Sequence, residues 1–237
     1  MTQILLGDLS VEVTFKDIKN VHLSVHPPAG RVSVAAPERM SIDTIRLFAI
    51  LKLDWIKRQQ KKLAAQLREG TLGYLNQESH YLWGKRYLLR VSEHDRPPSV
   101  EVQHSQLHLI VRPETSTAKK QEIVSRWYRS TLKTEAAQLV SSWAPRIGVS
   151  VDTIFVRKMK TKWGSCNPTS GSIRLNSDLA KKPKDCVEYV VVHELIHLIE
   201  PTHNARFHRL MNRFMPNWQT LRDQLNELPV AYADAKR

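Results

Sequence analysis

Residues 183–204 constrain the fold of this chain more than any other stretch. Val187, Val190, Val191, Leu195, Ile196 and Ile199 recur at helical spacing, Pro183 and Asp185 suit a helix start, and Pro201 forbids its continuation. Inside this stretch lies His193-Glu194-Leu195-Ile196-His197. With a rise of about 1.5 Å and about 3.6 residues per turn, the two histidines project from one helix face, roughly 6 Å apart along the axis. Both imidazoles can then reach one ion at about 2.0–2.1 Å. Glu194 sits about 100° around the helix from His193, so its carboxylate can take a proton from a water beside the metal instead of binding the metal.

A hydrolytic zinc site takes three protein ligands and leaves a fourth position open. Glu200, His203 and His208 are the candidates for the third. Glu200 continues the histidine face but lies about 10 Å along the axis from His193, which leaves it beside the ligands at most. Pro201 has no N–H to donate and clashes with the preceding turn, so the helix stops near Glu200 and the chain bends. That bend can carry His203 back to the metal. Asn204 reads as the N-cap of a following helix with Phe207, Leu210, Met211 and Phe214 at helical spacing. His208, one turn into that helix, is the second candidate ligand.

Four blocks, two of them those just described, give the chain a resemblance to a known family. Lys158-Met159-Lys160-Thr161-Lys162-Trp163-Gly164-Ser165-Cys166, Ile173-Arg174-Leu175-Asn176, Val192-His193-Glu194-Leu195-Ile196-His197 and His203-Asn204-Ala205-Arg206-Phe207 follow one another in this order. They resemble the blocks of YgjP-type metallopeptidases, relatives of the SprT and Wss proteases and of the minigluzincins. The match is detailed over residues 145–225 and looser before them. The resemblance implies a small zincin in which His193, His197 and His203 hold one Zn²⁺ and Glu194 is the general base, with the segment around Trp163 to Cys166 roofing the cleft. Where the family often has tryptophan after the phenylalanine of the last block, this chain has His208. Glu200 stands where metzincins carry glycine, which sets this chain apart from them.

The 237 residues suffice for one large or two small cores. Thirty-six Lys and Arg against 23 Asp and Glu leave a net charge of +13, a balance that favours polyanionic partners or acidic substrates. The cations cluster at Lys57-Arg58 with Lys61-Lys62, at Lys119-Lys120, at Arg157-Lys158-Lys160-Lys162, and at Lys181-Lys182-Lys184. The third cluster adjoins the cleft roof, yet no DNA-reading motif accompanies any of them. No segment approaches 18 uninterrupted apolar residues, and the first residues lack a charged region followed by a long apolar one, which argues against a membrane partner and for a cytoplasmic protein. Two cysteines, Cys166 and Cys186, fit a reducing compartment. Cys166 has two readings: a small side chain packed in a turn, or a thiolate that closes the metal site.

Alternating runs at 3–15 and 21–36, with a turn at Pro27-Pro28-Ala29-Gly30, predict a small sheet. The spacing of Ile45, Phe48, Ile50, Leu51, Trp55, Ile56 and Leu63 predicts one amphipathic helix from Ser41 to Leu67. Strands are expected at 80–92, 99–103 and 107–112, and a long helix over 117–143 carrying Ile123, Trp127, Leu132, Leu139 and Trp143. Strands near 151–157 and 171–176, the motif helix at 185–200 and a last helical region broken at Pro216 complete the reading. No internal repeat stands out. The fold class is α+β: a zincin-like catalytic module over 116–237 with the HExxH helix, preceded by a β-rich module over 1–115 with one long helix. Pro113 to Thr117 is the expected linker; one continuous fold is the alternative.

The function these features predict is zinc-dependent endopeptidase hydrolysis of a protein or peptide, with an edge strand from 155–166 gripping the substrate backbone. Trp163, Cys166 and Asn176 are candidates for shaping the cleft, and Tyr189, one turn before His193, for steadying the oxyanion. The alternative is a basic nucleic-acid-associated protein whose zinc is structural, closed by Cys166 or His208. A protease recruited to DNA to digest bound proteins combines the two.

Overall fold

The computed structural model describes residues 2–26, 30–65, 72–159 and 162–227. The expected turn at Pro27-Pro28-Ala29, the helix end at Leu67, residue Lys160 and the side chains of Lys62 and Leu63 lie outside the described residues.

Two compact units make up the chain, Met1–Arg68 and Glu69–Arg237. In the first, strands β1 (Thr2–Leu6), β2 (Leu9–Lys16), β3 (His22–His26) and β4 (Arg31–Pro37) pair in the order β1-β2-β4-β3. The inner pair β2 and β4 is parallel, and both outer pairs are antiparallel. Alternation in these strands sends Val11, Val13, Val32 and Val34 to one face, where Ile45 and Ile56 of two helices complete a core without water. Those helices are α1 (Ile42–Leu51), capped by the Ser41 hydroxyl, and α2 (Leu53–Ala65).

The single helix expected from Ser41 is therefore two. Lys52 leaves helical geometry at φ −104°, ψ 6°, its N–H closes on the carbonyls of Ala49 and Ile50, and α2 restarts with the Ile56 N–H on the Lys52 carbonyl at 2.9 Å. The break lets Ile45, Ala49 and Ile56 all be buried, while Ile50, Leu51 and Trp55 of the same apolar series stay exposed.

In the second unit, β5 (Ser79–Leu82), β6 (Lys85–Glu93), β7 (Ser99–Gln103) and β8 (Gln106–Val111) pair in the order β5-β6-β8-β7, again with a parallel inner pair and antiparallel outer pairs. The same strand topology thus occurs twice, although the sequence shows no repeat. Helix α3 (Thr117–Ile147) follows, capped by Ser116 and stopped by Gly148 at φ 83°. A third sheet, of β9 (Thr153–Arg157), β10 (Gly164–Asn167) and β11 (Ser172–Asn176), has the order β10-β11-β9 and leaves β10 at an edge. A 3₁₀ turn at Ser177–Lys181 leads into α4 (Lys184–His197), then α5 (Ala205–Phe214) and α6 (Trp218–Glu227). Among the described residues no helix is long and apolar enough to cross a membrane.

The contacts put the boundary between units earlier than residue 115. The turn joining β5 to β6 donates from the Trp83 and Gly84 N–H groups to the Ala180 and Lys181 carbonyls, at 2.8 and 3.2 Å. A side chain on Gly84 would meet Pro183, the N-cap of α4, at 3.0 Å. Leu82, Leu89, Leu107, Leu109 and Val111 of this sheet share one core with Val124 and Leu132 of α3 and with Val191, Leu195 and Ile196 of α4. The second sheet belongs with the unit of the HExxH helix because α3 covers its apolar face and the shared core runs on to α4.

Candidate metal centre

Helix α4 is buried along most of its length, with Val187, Val191, Val192, Leu195 and Ile196 fully enclosed. Burial on this scale fixes the helix rotation, and with it the direction of His193, Glu194 and His197. After His197 the helix ends, the chain passes Pro201, and Asn204 caps α5 by accepting the N–H groups of Arg206 and Phe207 at 2.9 and 3.0 Å. The bend returns His203 to the two helix histidines. Their three Nε2 atoms lie 3.1, 3.1 and 3.0 Å from one another.

These donors fit a divalent cation. Three imidazole nitrogens about 2.0–2.1 Å from a tetrahedral zinc stand about 3.3 Å apart. Protonation adds a second argument: His197 Nδ1 lies 3.0 Å from the Glu200 carbonyl oxygen, which can only accept. Nδ1 therefore carries the hydrogen, and the Nε2 lone pair points into the cluster, the form a metal ligand requires. Burial, followed by the neighbouring imidazoles, pushes His193 down to about 3, and the same causes lower His203. Both shifts favour the neutral imidazole, the form that can offer a lone pair to a cation.

Among the described residues, this triad is the one group of three or more His, Cys, Asp or Glu side chains close enough to share an ion. Cys166, Glu200 and His208 do not join it. Glu200 reaches the site through its backbone carbonyl, while its carboxylate accepts from the Thr202 hydroxyl at 3.0 Å. His208 stacks on Trp218, with centroids 5.6 Å apart and planes at 22°, so the histidine in the family's tryptophan position packs against α6.

Phe207 holds the triad from behind. It has no exposed surface, and its ring centroid lies 4.9, 4.7 and 4.7 Å from those of His193, His197 and His203. The sequence shows Phe207 only as one apolar position of a helical series; its contact with all three imidazoles depends on the bend before α5.

Glu194 is 5% exposed, and burial raises its carboxyl to about 8 against the opposing influence of the Lys162 charge. Next to it a cleft of about 470 Å³ runs between the triad and β10. Trp163 and Cys166 line this cleft together with Lys162, Ser165 and Tyr189. The Trp163 ring is half-buried with the Lys182 ammonium 5.7 Å from its centroid. Burial, and secondarily the Glu194 charge, pushes the Cys166 thiol up to about 11. The Tyr189 hydroxyl is raised to about 12, chiefly by burial, and its ring meets His193 edge-on at 5.8 Å.

Asn176 is buried outside the cleft and braces its roof. Its amide nitrogen donates to the Met159 and Lys162 carbonyls, both at 3.0 Å, and its oxygen accepts from the N–H groups of Met159 and Asp178. Of the basic clusters, Lys119 pairs with Glu122 at 2.8 Å, Lys184 with Glu135 at 2.7 Å, and Lys182 is 4% exposed. Only Lys182 of these three is buried; Lys119 and Lys184 form ion pairs at the surface.

Comparison with known proteins adds an independent finding. The family description "YgjP-like, metallopeptidase domain" matches residues 19–228. The zymogen of the metallopeptidase abylysin from Pyrococcus abyssi is 19% identical, with a TM-score of 0.37, over 40% of this chain and 99% of that one. The zymogen of jannalysin from Methanocaldococcus jannaschii is 20% identical, with a TM-score of 0.33, over 40% of this chain and 92% of that one. A stretch of 130 residues, 53% of this chain, is 26% identical to receptor-type tyrosine-protein phosphatase zeta of Rattus norvegicus; the chain spans 6% of the length of that protein.

Proposed function

The chain belongs to the YgjP-like metallopeptidase family, and from that premise we propose that it hydrolyses internal peptide bonds at one zinc ion held by His193, His197 and His203, with Glu194 as general base. The observation that carries this reading is the convergence of three Nε2 atoms within 3.0–3.1 Å at the wall of an open cleft. When bound, the zinc supplies Lewis acidity, lowering the pKa of a water towards about 7 and polarising the scissile carbonyl.

The protein side chains do the remaining work. Glu194 takes the proton of the attacking water and later delivers it to the leaving amine. Its burial, which raises the carboxyl, makes it the stronger proton acceptor, and the charge of a zinc ion beside it would favour the ionised form that the first step needs. The Glu200 carbonyl keeps His197 in the ligating tautomer, and Phe207 limits the rotation of all three rings. Strand β10 pairs with β11 on one side only, so its other edge is available to add a substrate strand along the cleft. Main-chain pairing of this kind accepts extended peptides of many sequences. Tyr189 lines the same cleft beside His193, where its protonated hydroxyl is placed to donate to a developing oxyanion.

In the purified protein, Glu194→Gln should keep one equivalent of zinc and lose about 10²–10⁴-fold in the rate of cleavage of unfolded casein. Undiminished cleavage by that variant removes the mechanism, and zinc-free protein removes the site.

A further inference from the structure

Among the cleft residues, Gly164 is the one whose identity the fold leaves unexplained. Gly7, Gly30, Gly84, Gly148 and Gly171 adopt the positive φ that favours glycine; Gly164 does not. It sits in β10 opposite Leu175 of β11, in ordinary strand geometry, where alanine costs less conformational entropy on folding. What glycine supplies there is space. A Cβ at this position would lie 2.5 Å from Glu194 Oε1, 2.8 Å from its Cγ and 2.9 Å from its Cδ. A glycine inside a strand marks such a close approach.

Neither backbone can retreat. The Asn176 N–H holds the Trp163 carbonyl at 2.8 Å, the Asn176 side chain holds the Lys162 carbonyl at 3.0 Å, and β10 is zipped to β11 from Gly164 to Asn167. On the other side Glu194 is flanked by His193, whose ring is locked in the imidazole cluster, and by Leu195, which is fully buried. The group left to move is the carboxylate.

We propose that Gly164 is a positioning residue for the reaction: the missing side chain is the slot that holds the Glu194 carboxylate against β10, beside the three imidazoles and away from bulk water. This rests on Glu194 being the general base. Any side chain at 164 drives the carboxylate to another rotamer and out of reach of the attacking water, while zinc binding and substrate pairing continue.

The test compares Gly164→Ala, Glu194→Gln, Glu194→Ala and Gly164→Ala/Glu194→Ala by zinc content, thermal midpoint, and kcat and KM on unfolded casein. Gly164→Ala should hold a full equivalent of zinc and keep KM within about twofold, but lose about 10²-fold in kcat, the size expected of a displaced catalytic group. A kcat within about twofold of the parent, or a loss confined to KM or to zinc content, overturns the proposal. Full activity in Glu194→Gln overturns instead the role of Glu194 on which it rests. If Gly164→Ala is too unstable to assay, the double variant decides: recovered folding on removing the Glu194 side chain supports the slot, and equal instability overturns it.

Discussion

The two four-stranded sheets have one topology and opposite fates. Sheet β1-β2-β4-β3 is closed by its own helices, through Ile45 and Ile56, into a core of eight buried residues among those described, and Gln60 of α2 ties back to the Gly30 carbonyl at 2.8 Å. Sheet β5-β6-β8-β7 has no helix of its own to finish it. Its apolar face is covered by α3, and its first hairpin docks on the turn before α4, so its core runs on to the helix that carries the histidines. Strand order alone therefore does not make a domain; what decides is which apolar surface is left over to cover the sheet.

The largest effect that sharpens this comparison lies at the junction of the second core with the site. Phe207→Ala should cost about 3–5 kcal/mol in stability and weaken zinc binding, because the three rings lose the surface they rest on; a competition titration with a chelator reads it. Unchanged zinc affinity would mean the triad is organised without that support.

A step down in size, paired core deletions test the two sheets directly. Ile45→Ala and Leu109→Ala should each cost about 2–5 kcal/mol, seen as a lower denaturation midpoint. Leu109→Ala should also lower zinc retention on mild heating, since its core is continuous with α4. Ile45→Ala should leave zinc content and proteolysis as in the parent. Loss of zinc from Ile45→Ala would break the distinction between the sheets.

The smallest effect concerns Cys166, which lines the cleft within the second unit. With its thiol at about 11, raised by burial, Cys166 is overwhelmingly protonated at pH 7. Alkylation by iodoacetamide should be slow at neutral pH and accelerate as pH climbs towards 11, because the reactive thiolate appears only there. Rapid labelling at pH 7 would show a free thiolate at the cleft and reopen its role as a closing ligand.

Much of this architecture can be read from residue patterns. The strands at 99–103 and 107–112, the long helix from Thr117, the break at Pro216 and the end of α4 before Pro201 follow from alternation, helical spacing, caps and proline, which act over a few residues. The split at Lys52 does not, since an apolar series running unbroken from Ile45 to Ile56 gives no local reason to stop; burying both ends against one small sheet does. The linker expected at Pro113 to Thr117 is a turn inside the second unit, because composition marks loops without saying what their two sides touch. Gly164 carried a faint signal, a glycine within a strand pattern, whereas nothing near Phe207 hints that its ring meets three imidazoles.

By itself, the sequence determined the spacing of His193, Glu194 and His197, the proline that stops their helix, and the residues able to form each strand, since these depend on backbone periodicity and local sterics. The bend at Pro201 and the family resemblance already pointed to His203 as the third partner; tertiary structure brought its Nε2 within 3.1 Å of the other two and stacked His208 on Trp218 instead. It also decided that the second sheet belongs with the site and that Glu194 lies in the space left by a missing side chain. Those outcomes depend on which distant surfaces exclude water together, and that is settled only when the whole chain packs.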